Sequence, residues 1–177
     1  VPLETYESGV QVISALLGPA TAVLAYSIYQ QRRVLKEHFV PVLLGCLAGS
    51  VTSMVSAYAL CELFGLGDQV ALSTVAKSTT APIALSITGQ LGGTASITMA
   101  AVISTGVLGA ILAPTLTRIF RVKSPIAAGV AIGTCSHAVG TAKALEMGKL
   151  EGAMSGVAIA VAGLLTCVIA IVVQMLM

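Results

Sequence analysis

The sequence predicts an all-α, polytopic membrane protein with two interrupted or re-entrant helices in a pseudo-symmetric, inverted-repeat-like bundle. Three observations lead to this fold class: few charged residues, long stretches with none, and two apolar segments with polar residues and helix breakers at their centres. Charged residues make up 9% and hydrophobic residues 56% of the 177 residues, whereas soluble domains carry roughly 25% charged residues. Residues 1–177 have too few charges for a water-facing surface, and we expect a single transmembrane domain in a lipid bilayer.

Six apolar segments organise the chain. Four charge-free stretches exceed the about 20 apolar residues that a spanning helix needs; they are Ser8–Gln31, Phe39–Cys61, Ser78–Thr117 and Gly152–Met177. The segments are A, about Ser8–Tyr29; B, Phe39–Phe64; C, Val70–Leu91; D, Ile97–Phe120; E, Pro125–Met147; and F, Ala153–Met177. We expect A, B, D and F to be ordinary spanning helices. Their small residues, such as Gly45 and Gly49 of segment B, allow close helix packing.

Segments C and E differ from the other four. Segment C carries Lys77 and Pro82 near its middle, and segment E carries Gly133, His137 and Gly140. Proline inside a helix removes a backbone hydrogen bond and clashes with the preceding turn, and glycine lowers helix stability. We therefore expect both segments to break halfway through the membrane.

The distribution of charge between loops predicts how these segments enter the membrane. The loops "QQRRVLKEH" and "RIFRVKS" hold most of the basic residues and are assigned to the cytoplasm. The loop "CELFGLGDQ" is acidic and is assigned to the outside. Segment C then starts and ends outside, as a re-entrant hairpin, and segment E forms a matching hairpin from the cytoplasm. A broken helix that crosses the membrane remains the alternative, since only one loop would have to disobey the charge rule.

Segments C and E also resemble each other. "TAPIAL" (Thr80–Leu85) parallels "TAKAL" (Thr141–Leu145), and a Gly-x-x-x-Gly follows each. Paired interrupted segments of this kind point to a transporter's binding site at a repeat interface. Broken backbone at membrane depth is tolerated only where it is buried in protein or lines a wet cavity, so we expect the two tips to meet near the midplane.

Lys77 is the first candidate for a functional side chain. A lysine at membrane depth costs about 2.5–3.5 kcal/mol on insertion scales, so it should face a cavity and a partner. It would attract an anionic substrate, with donor groups from the polar residues that follow it and from the start of the next half-helix. These further binding candidates are Ser78, Thr79, Thr80 and Pro82. The alternative is a lysine that extends to the membrane surface from a shallower position.

The centre of segment E supplies the second group of candidates. His137 lies beside Ser136, Gly140 and Thr141, so it is a candidate for substrate contact or, as a hypothesis, proton coupling. The alternative is an ordinary hydrogen-bonded core histidine. Lys143 is a candidate second cation, although it lies three residues from Glu146 and the two are expected to pair.

Several functional classes lack their signatures. The four cysteines have no metal-binding or disulfide spacing, and we expect them to be small packing residues; they are Cys46, Cys61, Cys135 and Cys167. We expect no cofactor and no metal. Neither a nucleophile elbow nor a P-loop is present, so we do not expect an enzyme, and no basic patch with aromatics indicates nucleic acid.

Four blocks of sequence resemble the LrgB/CidB family of bacterial membrane proteins, in the same order. They are "GPATAVLAYSIYQQRRVLKEH", "KSTTAPIALSITGQLGG", "ISTGVLGAILAP" and "SPIAAGVAIGTCSHAVGTAKALEMGKLEGAMSG". Two positions depart from the family pattern: Ala76 replaces a frequent proline, and Ala128 replaces a frequent arginine. The start "VPLETYESG" is not a signal peptide, and the resemblance implies that about two upstream helices precede it.

The resemblance implies a multi-pass protein of the bacterial inner membrane with one of two functions. One is a holin-like regulator of murein hydrolase activity and cell lysis, working with a small LrgA/CidA-type membrane subunit. The other is a carrier of small monocarboxylates, since a plastid relative exchanges glycolate and glycerate and bacterial members are linked to pyruvate uptake. The two broken segments favour a carrier of the glycolate, glycerate, pyruvate or lactate class, working by alternating access. We also expect a homo-oligomer.

Overall fold

The computed structural model describes residues 26, 29–30 and 32–176, so nearly all of segment A lies outside the described residues. Within this part of the chain there are seven helices and no strand. They are α1 Arg32–Glu37, α2 Phe39–Leu63, α3 Asp68–Thr74, α4 Ala81–Leu91, α5 Ala95–Ile119, α6 Pro125–Met147 and α7 Lys149–Leu176. Helices α2, α5 and α7 are long and apolar enough to cross a membrane. The prediction of an all-α polytopic membrane protein is confirmed.

The three long helices correspond to predicted segments B, D and F. The bounds of α2 and α5 agree with the prediction to within two residues. Helix α7 begins at Lys149, four residues before the predicted start at Ala153. Its first turn contains Glu151, and a carboxylate there is favourable because it lies near the positive end of the helix dipole. The charged residues before Ala153 therefore form the first turn of this helix and do not belong to a loop.

Segment C forms two short helices, α3 and α4, separated by a break at residues 75–80. Helix α3 runs antiparallel to α2, because Thr74 contacts Cys61 (Oγ1 to Sγ 3.4 Å) whereas Ser78, four residues later, reaches Ser53 (Oγ to Oγ 2.7 Å). Within the break, the chain therefore runs from near the end of α2 to its middle.

Helix α4 then returns to the side from which α3 started. Just beyond the end of α4, the Thr94 backbone N–H donates to Ser73 Oγ at 2.7 Å, and the Thr98 hydroxyl donates to the Ser73 carbonyl at 2.8 Å. The last residue of α4 thus lies beside α3. Residues 68–91 are a re-entrant hairpin, as predicted for segment C, and are called hairpin 1.

Segment E forms α6, which has helical geometry on both sides of one interruption at His137 (φ 41°, ψ −140°). A side chain on Gly133, before the interruption, would overlap the Ser155 backbone. After the interruption, the Thr141 hydroxyl lies 2.7 Å from the Ser155 hydroxyl. Because both halves contact the same turn of α7, the second half folds back along the first. Residues 125–147 are also a re-entrant hairpin, called hairpin 2.

The two hairpins enter from opposite ends of the bundle. Hairpin 1 starts at the end that holds Glu62 and Asp68, here called the acidic end. Hairpin 2 starts at the end that holds Arg118 and Lys123, called the basic end. Opposite entry is what an inverted repeat requires, but a two-fold relation between the halves stays a prediction.

Small residues let the hairpins approach the spanning helices closely. Gly45 of α2 packs on Val130 of hairpin 2, and a side chain on Gly49 would overlap the Thr134 side chain. The Gly45/Gly49 pair therefore serves packing within the same chain, which is the close-packing role predicted for it.

The re-entrant topology predicts which cysteine probes label from the same side. In a background with the four native cysteines replaced, Leu66→Cys and Gln90→Cys should react with a membrane-impermeant maleimide from one side, because both lie at the acidic end. Phe120→Cys and Glu146→Cys should react from the other side. Labelling of positions 66 and 90 from opposite sides would show that hairpin 1 crosses the membrane, and likewise for positions 120 and 146 in hairpin 2.

The close contact at Gly133 predicts an asymmetric response to alanine. Gly133→Ala should lower the unfolding free energy by about 1–3 kcal/mol, because the new methyl group meets the backbone of Ser155 and the side chain of Ala158. Gly89→Ala is the matched control, since Gly89 is helical and has open space around it; it should be neutral or stabilising by up to about 1 kcal/mol. Thermal unfolding in detergent compares the two, and equal midpoints would contradict the packing described here.

Candidate functional site

The tips of the two hairpins meet beside the middle of α2. Ser50 and Ser53 flank residue 51, the middle residue of this 25-residue helix. Ser53 Oγ lies 2.7 Å from Ser78 Oγ in tip 1, residues 75–80. One turn away, Gly49 packs against Thr134, which precedes the break of hairpin 2. Since α2 is long enough to cross the membrane, the meeting point lies near the midplane, as predicted.

A small cavity lies at this meeting point, with a volume of about 10 Å³. That is room for about one water molecule. Tip 1, hairpin 2, α2 and α7 all contribute to its wall. Six of the lining residues carry hydroxyl groups: Ser50, Ser53, Ser78, Thr79, Thr134 and Thr166.

Lys77 lies at the edge of this cluster. Its ammonium group donates to Ser53 Oγ at 3.3 Å, and its side chain is half-buried. Within residues 32–176 one ion pair has its nitrogen and oxygen atoms within 4 Å of each other, and it joins Lys143 to Glu146. Lys77 therefore has no carboxylate partner in the described part of the chain. A charged group at membrane depth without a partner is costly and marks a functional site by default.

Two half-helices begin at the tips and direct their amino termini toward the centre. Helix α4 starts at Ala81, after the half-buried Thr80, whose side chain makes no capping hydrogen bond; Pro82 lies in its first turn and is exposed. The second half of hairpin 2 begins immediately after His137. The amino end of a helix carries a partial positive charge and free N–H groups. Together with Lys77, these ends give the centre a positive potential.

His137 holds the tip of hairpin 2 against α5. Its Nε2 lies 2.9 Å from the Val102 carbonyl oxygen, and the side chain is 5% exposed. Because a carbonyl oxygen only accepts, Nε2 carries the proton and donates it. The ring lies against Gly106, and a side chain on Gly109 would overlap the Ser136 hydroxyl. The two glycines of α5 therefore make the space that the tip occupies.

The other candidates of segment E also serve the packing of hairpin 2. The Thr141 hydroxyl donates to the His137 carbonyl at 3.0 Å and contacts Ser155. Gly140 lies against Ser136, where a side chain would overlap it. None of Ser136, His137, Gly140 and Thr141 lines the cavity. The structure thus brings Ser78 and Thr79 to the cavity, whereas the candidates of segment E line the contacts with α5 and α7.

Lys143 lies away from the tips, in the second half of hairpin 2. Its ammonium group is 2.7 Å from Glu146 Oε2, which confirms the predicted pairing. The pair borders a groove with Ala110 and Pro114 of α5, toward the basic end. In this conformation Lys143 does not add a second cation to the cavity.

The prediction that all four cysteines are packing residues is wrong for one of them. Cys46 and Cys61 are buried and Cys167 is half-buried, but Cys135 is exposed. Its position in an apolar segment therefore did not bury it.

Four cavity residues were missed from the sequence: Ser50, Ser53, Thr134 and Thr166. The two serines are three residues apart, which places them on one face of a helix. Paired hydroxyl residues at the centre of an otherwise apolar span are the signal that could have identified them.

Comparison with known proteins identifies relatives over nearly the whole chain. The LrgB-like family model matches residues 1–176, including both hairpins. The antiholin-like protein LrgB of Bacillus mycoides (strain KBAB4) is 39% identical over 166 residues, 94% of this chain and 72% of that protein. The protein of the same name from Bacillus cereus (strain B4264) is 37% identical over 166 residues, with the same coverage. YxaC of Bacillus subtilis (strain 168) is 40% identical over 165 residues, 93% of this chain and 72% of that protein. No solved structure matches the chain.

The backbone at His137 predicts different effects for two substitutions there. Both His137→Ala and His137→Gly remove the hydrogen bond to Val102, but only glycine adopts the positive φ readily. The glycine variant should therefore be more stable than the alanine variant by about 1–3 kcal/mol, measured as unfolding free energy in detergent. Coincident unfolding of the two variants would show that the backbone at this position is not strained.

Proposed function

The chain belongs to the LrgB-like family of membrane proteins, and from this premise we propose that it carries small monocarboxylates by alternating access. The glycolate, glycerate, pyruvate or lactate class is the proposed substrate, and the bacterial inner membrane is the proposed location. One observation carries the proposal: the Lys77 ammonium lies at the meeting point of two inverted hairpins with no carboxylate partner among the described residues. A small anion is the partner that this charge requires.

The surroundings of Lys77 suit a carboxylate of low molecular weight. The amino ends of α4 and of the second half of hairpin 2 add positive potential and free N–H groups. Ser78 and Thr80 are half-buried beside Lys77 and provide hydroxyl groups for a hydroxyl or keto oxygen of the substrate. A substrate with one carboxylate and one neighbouring oxygen matches one ammonium group and a few hydroxyl donors.

Transport requires the tips to separate, because the cavity of about 10 Å³ is too small for a carboxylate of three carbons. The two hairpins enter from opposite ends, so withdrawal of hairpin 1 would open the site toward the acidic end. Withdrawal of hairpin 2 would open it toward the basic end. Motion of one repeat against the other around a fixed site is the usual mechanism in carriers with this organisation.

His137 is the proposed site of proton coupling. In its neutral form it donates Nε2–H to Val102, so a second proton would bind at Nδ1 without loss of that hydrogen bond. The added charge would lie in a ring that packs against α5 at the tip of hairpin 2, and would favour binding of the anion by raising the positive potential near the tips. Histidine is the residue whose charge changes most readily in the physiological range.

The names of the relatives support a second candidate function. Two of them are called antiholin-like proteins, so regulation of murein hydrolase activity and lysis is the alternative. That role would use a small LrgA/CidA-type subunit, and a homo-oligomer is proposed for either function. Leakage of a dye from liposomes that hold the full chain would favour the alternative, whereas saturable, stereoselective uptake would exclude it.

Replacement of Lys77 is the principal test of the carrier. In proteoliposomes, Lys77→Met should lower uptake of radiolabelled glycolate and pyruvate by about 30-fold or more, since loss of a partner of a buried charge costs about 2 kcal/mol or more. Lys143→Met is the matched control, because Lys143 is paired with Glu146 outside the cavity, and its uptake should stay near the original rate. Equal uptake by both variants would exclude Lys77 as the substrate's partner.

The response of uptake to pH tests His137 separately. Uptake driven by an inward proton gradient should lose its dependence on that gradient in His137→Gln, because the amide keeps a donor for Val102 but takes up no proton. Concentration-driven exchange should persist in the same variant. Uptake that still follows the gradient would remove His137 from the coupling mechanism.

A further inference from the structure

The hydroxyl groups around the cavity have already donated most of their protons. The hydroxyls of three threonines each donate to a backbone carbonyl three or four residues earlier: Thr79 to Ala76 at 2.9 Å, Thr134 to Val130 at 2.7 Å and Thr166 to Ala162 at 2.8 Å. These oxygens therefore offer only lone pairs to the cavity. Ser53 accepts from Lys77 and lies 2.7 Å from the Ser78 hydroxyl, so one of the two serine protons is used in the bond between them.

Ser50 supplies an independent observation. Ser50 is 3% exposed. Among the buried side-chain oxygen and nitrogen atoms of the described residues, its hydroxyl oxygen is the one without a hydrogen-bond partner. It lines the same cavity. A buried polar group is normally satisfied, so Ser50 indicates that the cavity is built for an occupant.

The ends of two half-helices add a negative potential at the same place. Val75 and Ala76 follow the carboxyl end of α3, and both line the cavity. Thr134 lies in the last turn before the break of hairpin 2. The carboxyl end of a helix carries a partial negative charge. This side of the centre therefore differs from the side that receives the amino end of α4.

We propose that the cavity binds a monovalent cation of the size of Na⁺. Four buried residues whose hydroxyl oxygens have available lone pairs line the cavity: Ser50, Thr79, Thr134 and Thr166. Three of these groups have donated their protons to backbone carbonyls, so only Ser50 keeps a proton for an anion, and a water molecule has two protons for four oxygens. A small cation interacts with all four oxygens at once, and neutral oxygens at half-helix carboxyl ends are ligands for Na⁺ in carriers.

The nearby Lys77 makes this site depend on the substrate. Two positive charges near one another repel, and the low-dielectric interior strengthens the repulsion. A carboxylate bound to Lys77 would offset it, so cation and carboxylate should bind with positive cooperativity. This coupling rests on the proposed carrier function, whereas binding of the cation by the hydroxyl oxygens does not.

Thermal unfolding of the purified full chain in detergent tests the cation site. NaCl should raise the unfolding midpoint saturably relative to choline chloride at equal ionic strength, because a ligand that binds only the folded state stabilises it. KCl should be less effective, since K⁺ is larger than Na⁺. Equal shifts in NaCl and choline chloride would overturn the proposal and leave a bound water as the occupant.

Variants assign the shift to the cavity. Thr166→Val and Ser50→Ala should each weaken the apparent Na⁺ affinity by about tenfold, since each loses one interaction with a charge. Thr117→Val is the matched control: the Thr117 hydroxyl also donates to a backbone carbonyl four residues earlier, at 2.9 Å, but lies outside the cavity. Its Na⁺ response should be unchanged. An unchanged apparent Na⁺ affinity in Ser50→Ala and Thr166→Val would overturn the assignment. If Thr166→Val does not fold, Ser50→Ala alone provides the test.

Lys77→Met separates the cation site from the carrier function. Removal of the ammonium should strengthen Na⁺ binding in the absence of a carboxylate, while it abolishes carboxylate uptake. Na⁺ stabilisation without any uptake by the unmodified protein would retain the cation site and reject the carrier. Weaker Na⁺ binding in Lys77→Met would overturn the coupling between the two sites.

Discussion

Backbone groups in the membrane interior must be hydrogen-bonded or covered by protein, and the architecture follows from this constraint at two places where a helix stops halfway. In tip 1 the chain satisfies itself with tight turns, since the N–H groups of Lys77 and Thr79 donate to the carbonyls of Thr74 and Ala76. Hairpin 2 breaks within a single residue, His137, which is buried against α5. The spanning helices therefore cover the breaks of both hairpins.

Close packing divides the polar groups of the hairpins into two sets. His137 and Thr141 contact α5 and α7 where glycines or small residues leave room, and their hydrogen bonds hold hairpin 2 in place. Lys77 and Ser78 belong to tip 1, which contacts α2 through hydroxyl groups and also packs Val75 and Ala76 in an apolar cluster with Met54.

The centre of the bundle contains few charged or partially charged groups. One ammonium group, two helix amino ends and two helix carboxyl ends meet there, with neutral hydroxyl groups between them. The hydroxyls of Thr79 and Thr134 donate to backbone carbonyls three or four residues earlier. Their protons are therefore used, and only their oxygen lone pairs remain available to a ligand. The proposed anion and the proposed small cation would thus have different partners within one small region.

The sequence by itself determined the membrane environment, the number of apolar segments in the described part of the chain and the two breaks. These features depend on composition and on local rules for charge, proline and glycine, which act over a few residues. The charge of the loops was also sufficient to predict hairpins that enter from opposite sides. Lys77 was identifiable because an ammonium in an apolar segment is conspicuous wherever it lies.

Only the tertiary structure decided which polar residues share a cavity. Thr134 lies in segment E, close to the candidates predicted there. Ser50 and Thr166 lie in segments B and F, which were predicted to be ordinary spanning helices. His137, in contrast, turned toward α5. The physical reason is that the direction of a side chain at a helix break depends on the backbone dihedral angles there, and φ at His137 is 41°. That angle is set by contacts with helices far away in sequence, such as Gly106 and Gly109 of α5, and no local pattern encodes it.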